Sequence, residues 1–406
     1  MTPGDREAAG QRIARARRRR GLSQAVLAGL VGRSESWLSQ VERGKRGIDS
    51  HSVLMRLAEV LRVDIEELTG SGDQDEIGRR AYPAASLIDQ AMMGYGTPGP
   101  LGGREEQERE VSLDFLRAQA LSTYQAYQAT RYEATGRILP GLIHAVERAA
   151  RVAGSASPAA YEVRALVYDT AAALLSRVGE PFLAWAAADR AMFAAEHSGD
   201  PLLAAASAWR LSYMITGRKH PQKALELAMT AIAALERTMR ASSPERLSVY
   251  GALHLAAATA AAASFDRATT ESLLATARGI ADRTGEANHM GTAFGPVNVA
   301  IHAISASLKL GDPRTATETG EALDLTAMPT GLVGRHTQVN LDLARAYAIT
   351  RKEAAAVNLL LAAERLSPQL VRYDQSTGDV LTELLRREHR PSTPELRPLA
   401  RRAGVI

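Results

Sequence analysis

GLSQAVLAGLVGRSESWLSQVERGKRG, residues 21–47, decides the reading of this chain. Leu22, Val26, Leu27, Val31, Leu38 and Val41 recur at helical spacing, so two short amphipathic helices are expected. Gly32 stands where the first must stop, because glycine alone takes a positive φ there cheaply. Ser34 follows as the N-cap of the second helix. Two short helices joined by a glycine turn can present the second to a DNA major groove.

The stretch sits within a basic module from Gly10 to Gly70, expected to hold five helices. Ser50 is placed to cap a helix running to about Arg62, with Val53, Leu54, Leu57, Val60 and Leu61 inward. Asp64 and Glu67 form a capping-box pattern for one last turn. Residues 1–70 carry 13 Lys+Arg against 9 Asp+Glu, and residues 1–46 carry 11 against 4. The whole chain has 49 against 45, so the remaining residues balance at 36 against 36. A positive module attached to a neutral domain is the electrostatic footprint of nucleic-acid binding.

Residues Gln11–Gly70 resemble the phage-repressor-type, or xenobiotic-response-element-type (XRE), helix-turn-helix. The resemblance rests on Arg12, Ile13, Arg17, Gly21-Leu22-Ser23-Gln24, Leu27-Ala28, Gly32, Ser34, Leu38-Ser39, Val41-Glu42, Gly44, Leu57-Ala58 and Leu61. It implies that Gln24 hydrogen-bonds a phosphate and that Glu35, Ser36, Ser39 and Gln40 face base edges. Arg43, Lys45 and Arg46 would clamp phosphates, with Arg33 a further phosphate contact beside Ser34. Arg17 and Glu42 match a buried ion pair tying the first helix to the third. Val26 and Arg33 depart from the pattern, which has glutamate at the first position and a small apolar residue at the second. Trp37 reads as either a contact to the DNA backbone or a partly buried packing residue, the second favoured.

The rest of the 406 residues exceeds one small domain. There is no cysteine, so no thiolate nucleophile, zinc-thiolate site or oxidising compartment is required. The N-terminal MTPGDREAAGQ has no apolar signal stretch, and Ala-rich runs such as Leu255–Ala263 are too short to span a bilayer. A cytoplasmic protein without membrane contact is expected. Residues 71–104 read as a hinge: a polar segment, a short helix over Ala84–Met93, then GYGTPGPLGG at 94–103.

From residue 105 to 406 the pattern is helical, so the fold class is all-α. The helices come in pairs: Tyr161–Arg177 with Pro181–His197, Leu202–Thr216 with Pro221–Arg240, and Pro244–Ala263 with Arg267–Thr284. Met290–Leu310 with Pro313–Leu325 and His336–Thr350 with Glu353–Leu366 follow. Ser112–Tyr132 and Pro140–Ala153 add a pair in front, and Ser376–Glu388 a cap behind. A period of roughly 40 residues means a stacked array of helical hairpins. The units resemble diverged tetratricopeptide repeats. Leu343, Ala344, Tyr347, Ala356, Ala363 and Pro368 fall at the signature spacing, as do Ala172, Gly179, Ala184 and Ala191.

Such an α-solenoid exposes a groove lined by the first helix of each pair. Its groove-facing positions fall on Trp209, Tyr213, Asn298, Ile301, Ser305, Gln338 and Arg345, with His302 one turn after Asn298. Amides could hold an extended backbone and aromatics an apolar pocket. Trp209 and Tyr213 fit a core role slightly better, and Asn298 fits a local polar one. The four asparagines all lie between 288 and 358, where a poor helix former suggests a use beyond helix stability.

The combination resembles the peptide-pheromone receptors of Gram-positive bacteria and a set of actinobacterial regulators. It implies a dimeric, sequence-specific transcription regulator on a pseudo-palindromic operator of double-stranded DNA. The repeats would dimerise the chain as a homodimer and sense a peptide or small-molecule effector. The alternative is a protein–protein scaffold with vestigial DNA binding. Nine histidines form no HExxH spacing and no phosphate loop follows a strand, so neither catalysis, metal nor cofactor is implied.

Overall fold

A computed structural model describes residues 3–48, 51–63, 68, 82–94, 112–153, 157–238, 243–389 and 391–406. These are all-α, and the chain divides into two compact units, Met1–Arg80 and Ala81–Ile406. The expected cap at Ser50, the capping box at Asp64 and Glu67, and most of the hinge over 71–104 lie outside the described residues.

The N-terminal unit holds α1 (Pro3–Arg19), α2 (Gln24–Leu30), α3 (Glu35–Glu42) and α4 (His51–Leu61). Ser23 and Ser34 cap α2 and α3 by accepting from the N–H groups of Val26 and Trp37. Gly32, between them, has φ +67°. Ile13, Leu27, Leu38, Val41, Leu57, Leu61 and Leu68 form a closed core. Val26 corrects the sequence reading: it is exposed, because Leu27 and Val31 already supply the inward stripe of α2. At Gly10 a Cβ would lie 2.2 Å from the carbonyl oxygen of Val41, so α1 and α3 cross in backbone contact that only glycine allows.

The second unit opens with α5 (Ala85–Met92), then α6 (Leu113–Gln128) and α7 (Tyr132–Ala153). Four long hairpins follow: α8 (Pro158–Arg177) with α9 (Pro181–Ser198), α10 (Pro201–Gly217) with α11 (Pro221–Thr238), α12 (Pro244–Ala263) with α13 (Arg267–Thr284), and α14 (Pro296–Lys309) with α15 (Pro313–Glu321). The last is α16 (Val333–Ile349) with α17 (Glu353–Leu366), capped by α18 (Pro368–Tyr373), α19 (Gln375–Arg386) and α20 (Leu396–Ala403). Successive first helices pack side by side, which is the stacking of a helical-repeat array.

Two features of the chain produce this regularity. Proline opens most of these helices, where its missing N–H costs nothing and its φ is already helical. The same turn also recurs within each hairpin. The second residue after the first helix has positive φ at Thr130, Gly179, Lys219, Phe265, Gly311 and Arg351. The next N–H reaches back five residues, from Arg131 to Ala126 and from Lys352 to Tyr347, closing the helix end as a Schellman motif. Only two of the six turns use glycine.

Two helix starts differ from the sequence reading by more than a turn. Pro140 does not begin a helix but lies inside α7, one turn after Gly136. Tyr82 occupies the space Gly136 leaves, donating its hydroxyl to the carbonyl of Tyr132 at 2.5 Å. The helix expected from Met290 begins at Pro296 instead. Residues 285–295 form a loop with positive φ at Gly285, Met290, Gly291 and Ala293, and Glu286 accepts from the N–H of Val297 to cap α14.

Candidate nucleic-acid interface and repeat interior

In the N-terminal unit a buried ion pair fixes the third helix. Arg17 donates through Nε to Glu42 Oε1 at 2.6 Å and through Nη2 to Oε2 at 2.9 Å, a bidentate fork. Its Nη1 donates to the carbonyl of Leu22 at 2.8 Å. The guanidinium pKa is raised by this hydrogen bonding to Glu42, against the cost of burial. One fork therefore ties α1, the entry to α2, and the end of α3.

The resulting outer surface holds the residues singled out from sequence. Ser34, Glu35 and Ser36 are exposed at the start of α3, and Ser39 and Gln40 are half-buried along it. Arg43, Lys45 and Arg46 are exposed just beyond its end, with Arg43 Nε donating back to the carbonyl of Ser39 at 3.0 Å. Arg33 is exposed with its guanidinium carbon 5.8 Å from the centre of the Trp37 ring. Trp37 packs its other side on the core. Gln24 needs a correction: its amide donates to Glu42 Oε2 at 2.6 Å, so one of its N–H groups already supports the ion pair.

The second unit has a polar interior lined by the first helices of the hairpins. Tyr124, Tyr127 and Tyr132 form a chain of ring contacts at 5.7 and 5.8 Å. Arg210 continues it: Nη2 donates to the Tyr124 hydroxyl at 3.1 Å, and the guanidinium lies over the rings of Tyr124 and Trp209. Trp209 meets Tyr213 edge-on, and Tyr213 stacks on His302. Opposite, Arg177 donates to Gln338 Oε1 at 3.1 Å, and Gln338 Nε2 donates to Asp342 at 3.0 Å. Ser305 donates its hydroxyl to the same carboxylate.

These groups are enclosed yet retain some water contact. Enclosure pushes the His302 imidazole down to about 3, with the charges of Arg335 and Lys309 adding to it. It raises the carboxyls of Asp169 and Asp342, although Arg210 and Ser207 oppose the first shift and Ser305 and Gln338 the second. The ring of repeats closes on itself here. Gln128 on α6 and Asn288 exchange two side-chain hydrogen bonds at 3.2 and 2.9 Å, and Tyr124 donates to the carbonyl of Gly291 at 2.7 Å.

Of the positions placed on the groove from sequence, Tyr213, His302, Ser305 and Gln338 are in this interior. Trp209 borders it but is 5% exposed, chiefly a packing residue. Ile301 belongs to the apolar core between α14 and α16. Asn298 is buried, with no donor for its Oδ1. Arg345 is exposed, reaching Asp342 only through its charge. Asn288 lies in the loop rather than in a helix. Sequence reasoning missed Asp169, Arg177, Arg210 and Asp342. For Asp169 and Arg210 the signal was there: each is a lone charge within an apolar helical run, ALVYDTAAALL and AAASAWRLSYM.

Among the described residues no helix is long and apolar enough to cross a membrane, and no group of acidic or histidine side chains could hold a metal ion. Residues 8–69 match a family model described as a helix-turn-helix domain. No curated protein sequence matches the chain. A crystal structure of Bacillus thuringiensis PlcR in complex with the peptide PapR7 and DNA aligns over 94% of this chain and 98% of that one. It shares 12% identity at a TM-score of 0.28, too low to compare the two backbones residue by residue. The N-terminal unit thus carries a helix-turn-helix domain, followed by an array of helical hairpins.

Proposed function

We propose that this chain is a dimeric, DNA-binding transcription regulator whose repeat interior senses an effector. The observation that carries the reading is the pose of α3. Its buried face is fastened by Arg17 and Glu42, while Glu35, Ser36, Ser39 and Gln40 remain along the outer side and Arg43, Lys45 and Arg46 extend the end as cations. Gln40 suits adenine, serine suits several base edges, and Glu35 suits cytosine N4. The cations, with Arg33 and the free part of the Gln24 amide, supply phosphate contacts that set register. A two-fold pair of such modules reads half-sites about one DNA turn apart, hence a pseudo-palindromic operator.

The effector is a peptide in this reading. The interior offers side-chain amides and aromatic faces, and Asn298 keeps a buried acceptor for which the protein supplies no donor. Occupancy acts by favouring one arrangement of the dimer over another. The test is selection of bound sequences from random duplex DNA, followed by salt titration of the winner. A two-half-site consensus whose affinity falls steeply with salt is expected. A protein indifferent to duplex sequence at low salt overturns the regulator reading.

A further inference from the structure

Arg335 is a half-buried cation of the repeat interior with no ion pair among the described residues. It lies in the first turn of α16, three residues before Gln338, and so shares the helix face that carries Gln338 and Asp342 inward. The neighbouring Gly334 sits where a Cβ would be 3.3 Å from the Thr130 methyl, so this turn abuts the end of α6 and its tyrosines. The charge of Arg335 is felt by Tyr124, Tyr132, Tyr213 and His302, groups on four different helices or their ends. No acid forms an ion pair with it among the described residues.

The acids of the interior are committed elsewhere. Asp169 accepts from Ser207 at 2.9 Å and faces Arg210 at 3.4 Å. Asp374 caps α19 through the N–H of Thr377 and faces Arg177 at 3.7 Å. Asp342 holds Ser305 and Gln338. A half-buried guanidinium has five donors and no acceptor, and in an enclosed space it favours an anion over water. Arg177 and Arg210 show the contrast, since each is tied to a carboxylate and a tyrosine.

We infer that the repeat interior binds its ligand by an anionic group, a carboxylate or a phosphate monoester, docked on Arg335 on the inward face of α16 that it shares with Gln338. This rests on the effector reading above and adds the ligand's charge and anchor. A peptide that enters the ring meets Arg335 with its free C-terminus, since that end carries a carboxylate whatever its side chains. A phosphorylated metabolite satisfies the same donors.

The test uses the full chain and two random hexapeptide pools, identical except for a free or an amidated C-terminus, with retained peptides counted by mass. The free-acid pool should be retained at least about tenfold better, because a charge-assisted fork is lost in the amide. Arg335→Gln should remove that advantage and Arg335→Lys should restore part of it. Arg335 forms no ion pair among the described residues, so Arg335→Gln should fold, with a wild-type unfolding midpoint as the check. Inorganic phosphate is the second arm: a midpoint raised in the wild type and not in Arg335→Gln, with neither peptide pool retained, assigns the anion to the phosphate class. Both pools retained equally, with no dependence on Arg335, overturns the anchor and leaves the effector reading standing. No retention of either pool and no effect of phosphate removes both.

Discussion

Two buried arginine–carboxylate pairs, one in each unit, show what each unit is built for. Arg17 and Glu42 meet in a fork at 2.6 and 2.9 Å, with Gln24 and the Leu22 carbonyl completing both groups. Arg210 and Asp169 are about as buried, yet approach only to 3.4 Å, and Arg210 Nε and Asp169 Oδ1 meet no hydrogen-bond partner. The first pair is a fastening, each guanidinium nitrogen donating, and its product is a rigid helix pose. The second is a polar lining with spare capacity. A fully satisfied network specifies one arrangement, whereas an under-satisfied one accepts a further partner.

The sharpest way to break this comparison is to delete each acid. Glu42→Ala leaves the Arg17 charge buried without its counter-ion and should cost the N-terminal unit about 3–5 kcal/mol, enough to unfold a domain of that size. Asp169→Ala should cost the repeat unit only about 1–3 kcal/mol, because Arg210 keeps the Tyr124 hydroxyl, two aromatic faces and some water. Urea unfolding of the full chain, followed by circular dichroism, resolves the two. Equal losses would mean that the interior pair is a fastening as well.

The contrast was only half legible in the sequence. The Gly32 turn and the Ser34 cap could be read because each is a local feature of one short domain, whereas the Arg17–Glu42 pair was implied only by the resemblance to the repressor-type helix-turn-helix. The interior could not, because it gathers side chains from helices up to about 200 residues apart. Periodicity says that a helix has an inward face but not which neighbours meet there. Ile301 was misplaced for that reason: it lies on the stripe of α14 nearest the groove, and packing against the next hairpin buried it. The hairpin turns were hidden differently. Thr130, Lys219, Phe265 and Arg351 take the left-handed conformation without glycine, so the chain carries a repeat in backbone that its residue types do not announce.

A smaller effect separates the units by pH. Burial holds His302 neutral, with its folded value near 3 against 6.5 unfolded. The unfolded chain then binds the extra proton across that window, so repeat-unit stability rises from pH 3 to 6.5 and falls as acid is added. The slope from this one group is at most about 1.4 kcal/mol per pH unit. Asp169 and Asp342 act in the opposite sense, their raised carboxyls favouring lower pH, and His254 acts with His302. The informative measurement is therefore the difference between wild type and His302→Asn from pH 4 to 7. A flattened acid limb in the variant is expected, and parallel curves would mean that His302 is as hydrated as an exposed histidine.

The smallest effect probes the reading helix itself. Ser34 accepts from the N–H of Trp37 at 3.1 Å, and Ser34→Ala should cost about 1 kcal/mol by leaving that donor to water. The loss belongs to the first turn of α3, the turn that carries Glu35 and Ser36. Arg17 and Glu42 hold the far end, so the helix frays at its start without leaving the domain. Ser34→Ala should therefore lower operator affinity without altering the salt slope, because no cation is removed. Arg43→Gln should do the reverse, reducing the slope by about one unit with little change in stability. Were Ser34→Ala to flatten the salt dependence as well, the two ends of α3 would not be mechanically separate. The fork at Glu42 would then fasten less of the helix than its geometry implies.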